Sequence, residues 1–212
     1  HGGILSKLCE PIRVIPSHSR FRLLRSNQII GIIPARYSST RFPGKPLADI
    51  LGKPMIQHVY ERAKLAENLC DVLVATDDAR ICHAVHSFGG KAVMTDSTLP
   101  NGTARCEQAV RLWGGEADAV INVQGDEPLI DPALIEQLAA KLKDDPRWSM
   151  ATAVTPIRNA SDFAAKTVVK VVLDRDDGAL YFSRASIPCD RDNEPDFSKP
   201  FNHSTVDRKS VV

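Results

Sequence analysis

Three cations, Arg36, Arg41 and Lys45, fall within ten residues, interleaved with Ser38, Ser39, Thr40 and Gly44 in the string PARYSSTRFPGKPL (34–47). Cations neutralise phosphate oxygens, hydroxyls and backbone N–H groups fix them, and a glycine lets the main chain approach closely. The composition suits a polyphosphate cradle. It matches neither GxxxxGK[ST] nor GxGxxG, so the common P-loop and dinucleotide fingerprints lose support. The residues alone leave open a basic surface loop paired with its surroundings. A second segment, NVQGDEP (122–128), sets Asp126 and Glu127 just past a glycine. A carboxylate there can hold Mg²⁺ against a nucleotide phosphate, because that ion takes one or two protein carboxylates together with phosphate oxygens. Either acid by itself reads equally well as part of a turn ahead of a helix. Gly102-Thr103-Ala104-Arg105 opens a helix whose N-terminus, with Arg105, forms a third candidate anion site. His83 and His86 stand three apart on a helix, yet nothing nearby completes a tetrahedral metal set, and the pair reads as a solvated face.

The elements that must position these groups alternate regularly. The run Ile29 to Pro34 is continuously apolar, as expected of a strand buried on both faces of a parallel sheet. Pro54, at a first helical position, opens an amphipathic helix carrying Ile56, Val59 and Ala63 on one side. Further strands are expected at 71–76, 91–95 and 119–124, and helices at 79–88, 103–113 and 132–142, the last capped by Asp131. Strand, helix, strand at this spacing implies right-handed crossovers and a doubly wound, mostly parallel α/β sheet. Ligands in such sheets bind beyond the carboxyl ends of the strands. The loops at 35–45, 76–78 and 124–128 therefore share one end. After Ser149 the rhythm changes to 150–156, 168–173, an Asp-Asp-Gly turn and 179–183, an antiparallel hairpin excursion.

Composition sets the bounds. The 212 residues allow one α/β domain; 43% are apolar and 25% charged, ordinary for a chain with a sizeable core. No apolar run reaches the length of a membrane helix, and a formal charge of +1 gives no global reason to expect nucleic acid or an anionic membrane as partner. Five cysteines, at 9, 70, 82, 106 and 189, form no CxxC pair and suggest no disulfide framework, which fits a reducing, cytoplasmic compartment.

Read in order, PARYSSTRFPGKPL, LGKPMIQHV, VATDD, NGTAR, VQGDEPLI, KVVLD and ALYFSRASIP make the chain resemble the 3-deoxy-manno-octulosonate cytidylyltransferases from about Gln28 to about Phe201. The resemblance implies a nucleotide-diphospho-sugar transferase-like, Rossmann-like fold. It implies transfer of CMP from CTP to the acidic sugar 3-deoxy-manno-octulosonate (Kdo), with Mg²⁺ and pyrophosphate release, for lipopolysaccharide synthesis. Family members are typically homodimers. Residue by residue, Arg36, Ser39, Arg41 and Lys45 match the triphosphate loop, Asp126 the Mg²⁺ ligand, and Gln124 a glutamine close to sugar and cytidine. Thr76, Asp77, Gly102, Thr103 and Arg105 match stretches lining the nucleotide pocket, while Ser183 and Arg184 fall in the segment that closes over the sugar. Arg36, Lys45 and Asp126 are the expected catalytic set. Sialic-acid-activating relatives usually carry Gly-Gly-Ser-Lys where this chain has Tyr37 to Arg41, which argues against that sugar; an 8-amino analogue of Kdo and an inactive nucleotide-binding fragment stay open.

Residues 1–27 carry five basic residues and one acidic one, and are expected to form a leader without fixed structure. Residues 28–201 are expected to be the cytidylyltransferase domain, incomplete at its C-terminal end. Residues 202–212 are read as a tail foreign to the family, lacking a second metal-binding aspartate found near the end of family members, so that this chain is expected to be poorly active. Without 1–27 and 207–212 the charge is −4. Attraction for a triphosphate must then come from the local cations at 36–45 and from the bound ion.

Overall fold

In a computed structural model of the chain, the described residues are 13–18, 28–38, 42–144, 148–189, 197 and 206–207. Arg13–His18 (β1) belongs to a second sheet and is taken up below. The apolar run forms Ile29–Ala35 (β2), one of the two inner strands of a parallel four-stranded sheet. Around it, after the short strands Asp49–Ile50 (β3) and Lys53–Pro54 (β4) and the helix Met55–Ala63 (α1), come Asp71–Thr76 (β5), Ala79–Ser87 (α2), Ala92–Met94 (β6), Gly102–Trp113 (α3), Ala119–Asn122 (β7) and Pro132–Asp144 (α4). The sheet runs β6-β5-β2-β7, every neighbour parallel.

Strand alternation sorts the core into two layers. Ile30, Ile32, Leu73 and Ala75 face α3 through Cys106 and Ala109. Ile29, Ile33, Val72 and Val74 pack on the other side with Ile56 and Val59 of α1, Ile81 and Val85 of α2, and Ile135 and Leu138 of α4. Helices on both faces make the sheet doubly wound, as the alternating pattern requires. Helix starts follow local chemistry: the Asp78, Asn101 and Asp131 side chains accept N–H groups of Arg80, Ala104 and Ala133 at 2.9, 2.9 and 3.0 Å. Pro54 caps α1 from β4 and does not occupy its first turn. The strand expected to reach Gln124 stops at Asn122, because Gly125 turns the chain against β2: a Cβ on Gly125 would stand 2.8 Å from the Pro34 carbonyl oxygen.

The antiparallel part holds Trp148–Pro156 (β8), the short helix Ala160–Ala164 (α5), Lys170–Leu173 (β9) and Ala179–Ser183 (β10). β9 and β10 form the expected hairpin, closed by Asp174 Oδ1, which accepts from Asp176 N at 2.9 Å and Gly178 N at 2.7 Å. One expectation needs correction. β1 lies inside the leader read as unstructured, and it pairs antiparallel with one edge of β8 while Val206–Asp207 (β11) pairs with the other. A nine-residue strand exposes N–H and C=O groups on both sides, which any extended segment in reach can satisfy. No helix among the described residues is long and apolar enough to cross a membrane.

Candidate active site

Three segments leave the carboxyl ends of β2, β5 and β7 and meet at one end of the sheet. The first begins at Arg36, whose Nη2 donates to the Leu99 carbonyl ahead of α3. It is closed by Gly44 N donating to Tyr37 O at 2.8 Å. Gly44 has φ 72°, and a Cβ there would lie 3.0 Å from the Tyr37 ring, so only glycine fits the clasp without strain. A 3-10 turn, Lys45–Leu47, follows on buried Pro46 and aims Lys45 across the cleft, where its Nζ donates to Asp126 Oδ2 at 2.8 Å.

Asp126 stands past Gly125 on the β7 segment, and Gln124 beside it donates to Asn122 Oδ1 at 3.3 Å. The Lys45 and Asp126 side chains are 39% and 56% exposed. An exposed pair of this kind contributes only about 0–1 kcal/mol, so both groups are available to a charged ligand at little cost.

From β5, Thr76 is buried, and its hydroxyl accepts from Asp78 N at 3.2 Å. Asp77 Oδ2 accepts from Arg105 Nη2 at 2.8 Å. Arg105 is 0% exposed. Its Nη1 donates to Thr95 Oγ1, and among the described residues its Nε has no hydrogen-bond partner. The guanidinium expected as a free anion-binding cation is therefore committed to Asp77. Desolvation explains the pairing, since a buried charge without a counter-charge is strongly unfavourable.

Arg36, Lys45, Gly102, Arg105, Gln124 and Asp126 line one open cleft of about 270 Å³. Gly102 brings in the first turn of α3, where an α-helix leaves N–H groups without intrahelical acceptors. Thr103 is exposed on that turn. Ser39 and Arg41 lie outside the described residues. Ser183 and Arg184 sit at the end of β10 away from the cleft wall: Ser183 Oγ accepts from Ala185 N at 3.0 Å, and Arg184 Nη1 donates to Lys166 O at 2.9 Å.

The sequence model of one family, Cytidylyltransferase, matches residues 30–210. The chain belongs to that family. The match extends past Phe201, where the resemblance was read to stop. This cytidylyltransferase is 54% identical over 170 residues to the 3-deoxy-manno-octulosonate cytidylyltransferase of Syntrophobacter fumaroxidans, covering 80% of this chain and 68% of the relative. It is 52% identical to the enzyme of the same name from Geobacter metallireducens, covering 78% and 64%. It is 55% identical to the 8-amino-3,8-dideoxy-manno-octulosonate cytidylyltransferase of Shewanella pealeana, covering 76% and 66%. The chain thus spans about two thirds of the length of these relatives. A solved CMP:2-keto-3-deoxy-manno-octonic acid synthetase, complexed with CTP, superposes with a TM-score of 0.74 at 42% identity, covering 87% of this chain and 72% of that one.

Met55, at the start of α1, is a wall residue that the sequence reading did not place at the site. It carried no signal beyond helical periodicity.

Proposed function

We propose that this cytidylyltransferase transfers CMP from CTP to Kdo, giving CMP-Kdo and pyrophosphate, in the cytoplasm. The observation that carries the reading is the meeting of Lys45 and Asp126 across the cleft, one from the β2 segment and one from the β7 segment. The relatives' names and the CTP bound to the similar solved structure support the choice of nucleotide and sugar.

The reaction joins the anomeric oxygen of the sugar to the α-phosphorus of CTP and breaks the bond from that phosphorus to the β-phosphate oxygen. The hydroxyl proton is lost to solvent and pyrophosphate leaves. Catalysis is then placement and charge neutralisation, with no covalent enzyme intermediate. Lys45 and Arg36 stabilise the departing pyrophosphate, and the α3 N-terminus at Gly102 favours anionic charge in the same cleft. Gln124, half-buried beside Asp126, is placed to bond sugar or cytidine hydroxyl and carbonyl groups. Buried Arg105, paired with Asp77, lines the floor of the cleft and takes no direct part.

Asp126 would hold Mg²⁺. Among the described residues no group of three or more His, Cys, Asp or Glu side chains could hold a metal alone. A single exposed carboxylate fits an ion that arrives with nucleotide phosphates and keeps several waters. Bound there, the ion would supply positive charge that offsets phosphate charge and would favour ionisation of the attacking hydroxyl.

The 55% identity to an 8-amino-Kdo enzyme supports a second sugar, so the deciding experiment supplies both. The chain is mixed with CTP, Mg²⁺ and either sugar, and pyrophosphate and the CMP-sugar are followed. Mg²⁺-dependent release with Kdo is expected, and is lost on Asp126→Ala. Undiminished release by Asp126→Ala, or no binding of CTP, overturns the proposal.

A further inference from the structure

Arg36 and Lys45 flank a clasp made by the two residues just inside them, Tyr37 and Gly44. Gly44 N donates to Tyr37 O, and the Tyr37 ring occupies the space that a Gly44 side chain would need, at 3.0–3.2 Å from the ideal Cβ position. The clasp therefore fixes the relative positions of the two cations. The ring itself is held from a different element. The Arg80 guanidinium carbon lies 3.3 Å from the Tyr37 ring centroid. Arg80 is oriented in turn by a bidentate pair, Nε to Asp78 Oδ1 at 2.9 Å and Nη2 to Asp78 Oδ2 at 2.6 Å. Asp78 is also the N-cap of α2, accepting from Arg80 N, and α2 is anchored in the core by Ile81 and Val85. A continuous chain of contacts thus runs from the core through α2, Asp78, Arg80 and Tyr37 to the base of the cationic loop.

We propose that Arg80, stacked on Tyr37 and locked by Asp78, is a positioning residue for the triphosphate loop, presenting Arg36 and Lys45 together to the nucleotide. The proposal rests on the reading of that loop as a phosphate site. Arg80 does not line the cleft and acts only through Tyr37. A planar guanidinium can stack and fork onto a carboxylate at once, which an ammonium cannot, so lysine is an incomplete substitute. Preorganising a loop lowers the entropy lost on binding, so the effect belongs in nucleotide affinity.

The test measures CTP affinity by titration calorimetry, in the presence of Mg²⁺, for the chain and for Arg80→Ala, Arg80→Lys, Tyr37→Leu and the double variant. Amide exchange at Gly44 is followed in parallel. Arg80→Ala is expected to weaken CTP roughly 2- to 5-fold, the worth of an exposed cation–π contact, with Arg80→Lys in between. The double variant should bind no more weakly than Tyr37→Leu alone, since the two residues act through one contact. Gly44 exchange should quicken in Arg80→Ala. Arg80 is 59% exposed, so the variant folds; Asp78→Asn, which keeps the cap and loses the fork, provides an independent check. Additive losses with unchanged Gly44 exchange overturn the positioning role. Absence of CTP binding by the unaltered chain overturns the phosphate reading and the positioning role with it, whereas tight CTP binding indifferent to Arg80 overturns the positioning role alone.

Discussion

In the proposed reaction, one contact, between Lys45 and Asp126, would serve two ligands. Their mutual ion pair is partly exposed and contributes little to stability, so each exchanges its partner for a phosphate or a cation without a large loss. Lys45→Ala should therefore lower the melting temperature by no more than about 4 °C, given a loss of at most about 1 kcal/mol, while weakening CTP about 10- to 100-fold, the range for a hydrogen bond to a charged group. Calorimetric titration beside a thermal melt separates the two effects. Asp78 behaves differently with pH. The Arg80 guanidinium holds its carboxyl below the ordinary carboxylate range. A folded-state pKa below the unfolded one means that the contribution is complete above about pH 4, the unfolded value, and is lost as pH falls through the lower folded value. Thermal melts of the chain and of Asp78→Asn should differ near neutral pH and converge in strong acid; a difference that persists unchanged in acid contradicts the pairing. None of these partnerships could be read from spacing. Arg105 and Asp77 were both expected in the pocket, but their union across 28 residues is tertiary, and only the cost of burying a charge explains it.

At the scale of elements, the close approach of segments decides what is tolerated. Gly125→Ala would press a methyl group against the Pro34 carbonyl. The expected destabilisation is about 1–3 kcal/mol, the range for overpacking, and the displaced Asp126 should weaken CTP as well. Urea denaturation and titration of the same variant test both; an undisturbed melt would show that the β7 turn is looser than described. Packing of α3 on the sheet buries Cys106 and pushes its thiol up to about 12. Maleimide labelling near pH 8 should reach exposed Cys189 readily and leave Cys106 intact until the chain unfolds. The strand and helix positions were legible because hydrophobic period is local: β5 matches its expected span residue for residue, and α2 falls within one residue of its own. The β3–β4 hairpin was not legible, since its turn puts Leu51 at φ 53°, a conformation that normally signals glycine or asparagine. α5 announced itself only through Asn159 capping Asp162, too short a signal for periodicity to reinforce.

For the whole molecule, the doubly wound sheet explains why cations and carboxylate from distant segments meet: right-handed crossovers deliver every strand-to-helix loop to one end. β2 is the keystone, with Ile30 and Ile32 on one layer and Ile29 and Ile33 on the other. Ile32→Ala should cost about 2–5 kcal/mol, read by denaturant titration. The fold class, the cationic loop and Asp126 followed from alternation and residue type. The pairing of β1 with β8 did not, because a strand's partner on a remote edge leaves no trace in its own sequence. With a formal charge of only +1 over the 212 residues, the proposed binding of a triphosphate has to depend on the local cluster at the cleft. The most direct test is therefore calorimetric titration of CTP, with Mg²⁺, into the chain and into Lys45→Ala. Saturable one-to-one binding that weakens at least about tenfold in the variant is the predicted result; equal affinity in both, or no binding to either, would contradict the account.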